Sequence, residues 1–181
     1  RIMMPSPKVA TYDMQPEMSA VELTNSLISE IQNKSFDFCV LNYANTDMVG
    51  HTGNMEATVE AVETVDRCLG QLLEQVVRAG GTTLITADHG NAELMWDESG
   101  NPWTAHTTNP VPFILVEGEQ RKIPGHGTEV QLTTDGCLAD IAPTILEILQ
   151  LPQPLEMTGK SLIQASGVEV RQNKSPVRIR L

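Results

Sequence analysis

The period at which apolar residues recur changes along this chain, and that change constrains the fold more than any other feature. Val59, Val62, Val65, Leu69, Leu72, Leu73 and Val76 repeat at threes and fours, which predicts a helix over 55–79 with one buried face. Asn54 stands where an N-cap is needed, and Gly80-Gly81 where a left-handed C-terminal residue ends a helix. Strand formers follow at once in Thr82-Thr-Leu-Ile-Thr86 and again in Pro112-Phe-Ile-Leu-Val116. Upstream, Ser19-Ala-Val-Glu22 has the form of a capping box and opens a helix over 19–33, with Val21, Leu23, Leu27, Ile28 and Ile31 at helical spacing. Phe36-Asp-Phe-Cys-Val-Leu-Asn-Tyr43 is nearly continuous in apolar content after Asp37, as a strand covered on both faces would be. A last helix over 140–149 takes Asp140 as its cap and tolerates Pro143 in its first turn. Strands alternating with helices predict an α/β fold, a layered and largely parallel sheet with helices on both faces.

Composition narrows the function classes. With 181 residues, 40% of them hydrophobic, the chain matches one domain with a sizeable core. A net charge of −11 disfavours nucleic acid and anionic membrane as partners, since both select a basic face. No apolar run is long enough for a transmembrane helix, and the opening residues have no apolar core of a signal peptide. Cys39, Cys68 and Cys137 are odd in number and far apart, so they are expected as buried thiols in a reducing, cytoplasmic setting. Pro5, Pro7 and Pro16 make residues 1–18 an extended connector, residues 19–163 carry the regular elements, and residues 164–181 form a basic, irregular tail.

Chemistry concentrates at the ends of the expected strands. Asn45-Thr-Asp47-Met-Val-Gly-His51 follows the first, Asp88-His89-Gly90-Asn91 follows the second, and Ala105-His106-Thr lies before the third. In open α/β sheets ligands bind beyond the carboxyl ends of strands, so Asp47, His51, Asp88, His89 and His106 are expected to converge as metal ligands. Asp47 and His51 share a face if the chain makes one helical turn, while Gly50 and Gly53 equally permit a compact turn. Asp88 and His89 can share an ion only if the chain has already turned at the strand end. Mixed carboxylate and imidazole donors suit manganese, zinc or iron better than magnesium or calcium. His126 sits in a glycine-flanked loop and is expected in solvent. Gly159-Lys160-Ser161 is not a phosphate-binding loop, because Pro154 stands where that motif needs glycine.

Longer stretches resemble one family. Residues 5–20 (Pro-Ser-Pro-Lys-Val-Ala-Thr-Tyr-Asp-Met-Gln-Pro-Glu-Met-Ser-Ala), 42–51 (Asn-Tyr-Ala-Asn-Thr-Asp-Met-Val-Gly-His), 86–93 (Thr-Ala-Asp-His-Gly-Asn-Ala-Glu) and 104–112 (Thr-Ala-His-Thr-Thr-Asn-Pro-Val-Pro) are similar to the cofactor-independent phosphoglycerate mutases of the alkaline phosphatase superfamily. Residues 138–146 and 156–162 extend the resemblance. It implies a two-manganese isomerase of glycolysis and gluconeogenesis, with zinc, iron or cobalt as alternative metals, interconverting 3-phosphoglycerate and 2-phosphoglycerate through a phosphoserine. By the same resemblance Asp47, His51 and His106 ligate one ion, and Asp88 with His89 ligate the other. The nucleophilic serine, further ligands and substrate-gripping arginines of that family belong to an N-terminal segment and an inserted domain whose motifs are not in this sequence. The chain is therefore expected to be a C-terminal portion, inactive alone. Lys8 lies in a family-like stretch with no role assigned. A phosphatase, phosphodiesterase or phosphopentomutase on the same metal core, or a non-catalytic metal-binding module, are the competing readings.

Overall fold

A computed structural model describes residues 1–33, 36–118, 123 and 130–164, together with the backbone of 177–179. The chain divides into two compact units, residues 1–79 with 90–107 and residues 80–89 with 108–181.

The first unit is helical. It contains a 3-10 turn at Tyr12–Met14 and helices α1 (Ala20–Gln32), α2 (Asn45–Gly50) and α3 (Met55–Arg78), with α1 and α2 both packed on α3. The start of α3 follows from its cap: the Asn54 side chain accepts a hydrogen bond from the Ala57 amide. Its end follows from Gly80, whose φ of 75° is a left-handed conformation that costs glycine nothing. The buried stripe of α3 is not the valine repeat, however. Ala57, Thr58, Ala61, Thr64, Cys68 and Leu72 are buried, whereas Val59 and Val62 are exposed. Small side chains occupy the contact because they let helix backbones approach closely, and Met18, Val49, Ala57 and Ala61 form the core cluster there, with Tyr12 against it.

The start of α1 also departs from expectation. Ser19 is the N-cap residue, but its hydroxyl donates to the Pro5 carbonyl at 2.6 Å and makes no cap bond. That bond holds the connector against the helix instead. Within α1, fully buried Thr24 donates to the Ala20 carbonyl, so the Tyr43 hydroxyl 2.5 Å away must be the donor to Thr24. Burial pushes the Tyr43 phenol above its ordinary pKa.

The second unit is built on a sheet. Strands β1 (Thr82–Thr86) and β2 (Val111–Glu117) pair antiparallel from Thr82↔Glu117 to Thr86↔Phe113, and β3 (Val177–Ile179) pairs antiparallel with β2. The expected largely parallel pairing is thus absent among the described strands. A parallel pair needs a crossover that returns the chain to the opposite sheet end; residues 87–110 instead leave and re-enter at the same end. Nor does Phe36–Tyr43 form a strand among the described residues, and Phe36, Phe38 and Val40 are exposed. Apolar strand formers fix a strand only when a neighbouring ladder takes up their amides. At the other end of the chain, the pairing of Val177–Ile179 departs from an irregular tail, while 165–176 lie outside the described residues. All three cysteines are free as expected, but only Cys68 is buried.

Val111, Phe113 and Leu162 form the core of this unit, with Leu84, Leu132, Leu138 and Ile141 packed against them. A 3-10 turn at Leu138–Asp140 leads into α4 (Ile141–Ile148). Asp140 accepts the Cys137 amide at 2.8 Å and the Lys160 amide at 2.8 Å, so it joins two distant segments. Burial alone would raise its carboxyl pKa; the bonds from Lys160 and Cys137 outweigh that and hold it below the usual value. Thr144, fully buried, donates to the Asp140 carbonyl and accepts the Leu162 amide at 2.9 Å.

Thr144→Val should lower stability by about 1–3 kcal/mol in urea unfolding, because it strands the buried Leu162 amide. Since the carboxyl of Asp140 is more acidic folded than unfolded, its stabilisation is complete above the ordinary carboxylate range and is lost as pH falls through the lowered value. Asp140→Asn should therefore lose less stability than the unsubstituted chain between neutral pH and about pH 3, as read from paired urea melts.

Candidate metal centre

Helix α2 is one and a half turns long, and its placement determines the site. Val49 is fully buried in the core of the first unit, and Asn45, 2% exposed, donates through Nδ2 to the Pro16 and Glu17 carbonyls at 2.8 Å each. With those two residues fixed inward, Asp47 and His51 project from the helix toward solvent. The helical turn, of the two geometries the glycines permit, is the one formed: the His51 amide bonds the Asp47 carbonyl, and His51 Nε2 lies 3.2 Å from Asp47 Oδ1.

His106 arrives from a loop that folds back on itself. Asp97 accepts hydrogen bonds from the Asn101 side chain and from the Asn101 and Ser99 amides, which hold its carboxyl below the ordinary value and close a tight turn. The Trp103 amide then bonds the Met95 carbonyl at 2.9 Å, and the Thr107 amide bonds the Gly90 carbonyl at 2.8 Å. Between these two bonds, His106 Nε2 is placed 3.0 Å from Asp47 Oδ1 and 3.1 Å from His51 Nε2.

The His51 ring is chemically defined by its other nitrogen. Nδ1 lies 2.6 Å from the Thr104 carbonyl oxygen, and a carbonyl can only accept. Nδ1 therefore carries the proton, and in the neutral ring Nε2 presents a lone pair to Asp47 and His106. Asp47, His51 and His106 each offer one ligand atom, all within 4.8 Å of one another. Ligand atoms about 2.1 Å from a tetrahedral ion stand about 3.4 Å apart, so a slight outward relaxation of this triangle accommodates a cation. One carboxylate oxygen with two imidazole nitrogens is a donor set for manganese, iron, cobalt or zinc.

Asp88 and His89 belong to the second unit. The chain bends after β1 ends at Thr86, and His89 Nε2 lies 3.6 Å from Asp88 Oδ1, with the Asp88 side chain 78% exposed and that of His89 25%. Turning at the strand end is what allows adjacent residues to face one point. Lys8 is exposed in the connector, and His126 lies outside the described residues.

Two further residues have no counterpart among the expected ligands. Asn91, 6% exposed, donates through Nδ2 to Asp47 Oδ1 at 3.3 Å, and its amide donates to Glu93 Oε2 at 2.6 Å. No spacing rule marks a side chain that only hydrogen-bonds a ligand; the available signal was its position directly after Asp88-His89-Gly90. Gly50 makes room for it, since a Cβ there would overlap Asn91 Oδ1.

The Metalloenzyme superfamily model matches residues 1–153. A 2,3-bisphosphoglycerate-independent phosphoglycerate mutase of Acaryochloris marina is 72% identical over 179 residues, covering 99% of this chain and 34% of that protein. The protein of the same name from Cyanothece sp. is 67% identical over 181 residues, covering 100% and 34%. Among solved structures, one of Leishmania mexicana phosphoglycerate mutase at low cobalt concentration is similar, with a TM-score of 0.78 and 30% identity over 90% of this chain and 31% of that one. The chain thus spans about a third of the length of the curated relatives it matches.

Alanine at position 50 tests the close packing beneath the triad. Helix propensity alone would make Gly50→Ala stabilising. The collision with Asn91 should reverse the sign and lower stability by about 1–3 kcal/mol, measured by thermal unfolding.

Proposed function

Since this chain belongs to the Metalloenzyme superfamily, we propose that it supplies metal ligands to a cofactor-independent phosphoglycerate mutase, as the C-terminal portion of a longer polypeptide. The observation that carries this reading is the convergence of Asp47 Oδ1, His51 Nε2 and His106 Nε2 on one point. These three residues would hold one divalent ion, and Asp88 with His89 would contribute to a second. Manganese is the leading metal, with zinc, iron and cobalt as alternatives of the same ligand preference; the similar Leishmania structure was determined at low cobalt concentration.

When bound, such ions polarise phosphoryl oxygens and lower the pKa of a hydroxyl nucleophile. The chain's own part is to hold the ligands in place. The Thr104 carbonyl retains the Nδ1 proton of His51, which directs the Nε2 lone pair inward. Asp47 brings an anionic oxygen between two neutral donors, and its partial exposure leaves an approach from solvent. The substrate is phosphoglycerate, whose phosphoryl group passes from the C3 oxygen to a serine and then to the C2 oxygen, or the reverse. That serine, the remaining ligands and the substrate-gripping arginines come from an N-terminal segment and an inserted domain of the same polypeptide. Within this chain, residues 1–18 connect to the inserted domain, 19–163 belong to the metal-binding domain, and 164–181 form its tail.

The net charge of −11 is compatible with an anionic substrate, because bound cations dominate the local field. No helix among the described residues is long and apolar enough to cross a membrane. Three free thiols suit a reducing, cytoplasmic enzyme of glycolysis and gluconeogenesis.

The full-length enzyme should convert 3-phosphoglycerate to 2-phosphoglycerate with added manganese and without 2,3-bisphosphoglycerate. In it, His51→Ala or His106→Ala should reduce turnover by at least about 100-fold, beyond the loss typical of removing a ligand's hydrogen-bond partner. A requirement for 2,3-bisphosphoglycerate, or near-normal turnover in both variants, would overturn the assignment. The 181-residue chain alone should show no turnover.

A further inference from the structure

We infer that Asn91 is a positioning residue for the metal triad, held in place by a carboxylate clamp at Glu93. This inference rests on the reading of Asp47, His51 and His106 as metal ligands and extends it to the groups that orient them.

Asn91 is nearly fully buried, and its orientation is fixed from three sides. Its backbone amide donates to Glu93 Oε2 at 2.6 Å, and its carbonyl accepts the Leu94 amide at 3.1 Å. Its side-chain oxygen lies over Gly50, where a Cβ would collide with it. The amide atom facing Asp47 must be the nitrogen, because an ionised carboxylate can only accept. Nδ2 thus donates at 3.3 Å to Asp47 Oδ1, the same oxygen that faces both imidazoles. The rotation of an aspartate carboxylate about χ2 is otherwise soft, and this bond restricts it to the orientation that points Oδ1 at His51 and His106.

Glu93 extends the constraint to the imidazole side. Its Oε1 accepts the Thr107 hydroxyl while Oε2 accepts the Asn91 amide, so one carboxylate joins the segment bearing Asn91 to the segment bearing His106. The Thr107 amide bonded to the Gly90 carbonyl closes the same link through the backbone. Asp47 on α2 and His106 on its loop are therefore oriented by one connected set of hydrogen bonds. A neutral amide also suits the position, since it restrains the ligand oxygen without adding negative charge beside it.

The test is Co²⁺ titration of the 181-residue chain, followed by the visible absorption of the bound ion and paired with thermal melts of the metal-free protein. Asn91→Ala should raise the Co²⁺ dissociation constant about tenfold and alter the band shape, within the range found for loss of a ligand's hydrogen-bond partner. The metal-free melting temperature should move far less than a general packing defect would require. Glu93→Gln, at an exposed position, should shift affinity in the same direction by a smaller factor. Unchanged affinity and spectrum in both variants would overturn the inference. If Asn91→Ala does not fold, Glu93→Gln decides it, and unchanged Co²⁺ binding there overturns it. Failure of the unsubstituted chain to bind Co²⁺ would instead remove the triad itself, an outcome distinguishable from equal binding by all three proteins.

Discussion

The single proton between His51 Nδ1 and the Thr104 carbonyl sets the character of the site. A neutral imidazole has one proton to place, and a backbone oxygen 2.6 Å away claims it. The opposite nitrogen is left electron-rich and faces an anionic carboxylate oxygen and a second imidazole. Such a cluster is repulsive until a proton or a metal cation is shared among its atoms. The chain accepts that cost at the protein surface, where water screens it and an ion can enter. The same geometry inside a core would carry the full desolvation penalty of its charged and polar atoms.

Holding three donors at about 3 Å requires a rigid base, and packing supplies it. Alanines 57 and 61 let α2 approach α3 closely, and Val49 fills the remaining space with no exposure. A helix as short as α2 would be unstable in isolation. Here its conformation is imposed by a buried valine on one side and by the Asn45 amide at its start. The functional pair on the other side depends on contacts that include neither residue of the pair.

Features set by local chemistry were legible in the sequence. Asn54 and Gly80 marked the ends of α3 because caps act over three or four residues, and Asp47 with His51 were recognisable from one turn of helix. Pairing across the sheet was not legible, since whether 87–110 returns to the same or the opposite end is a property of the whole excursion. The buried stripe of α3 was misjudged for a related reason: hydrophobicity favoured the valines, but the face turned inward carries alanine, threonine and cysteine together with Leu72. Ser19 had the composition of a cap and used its hydroxyl on Pro5 instead. Among the candidate ligands, His106 was singled out by its polar surroundings near a strand, whereas Asn91 and Glu93, which bond other residues' atoms, leave no periodic trace.

Asn45 connects more than the start of a helix. Its side-chain amide grips two successive carbonyls of the connector, Pro16 and Glu17, two residues before Asp47 begins to serve the site. The Ser19 hydroxyl fastens the same connector again at Pro5. Residues 5–19 and the first turn of α2 are thereby riveted into one mechanical piece. A tug along the connector would be delivered at the first turn of α2, which carries the Asp47 carboxylate, so the leash and the candidate ligand share a pivot.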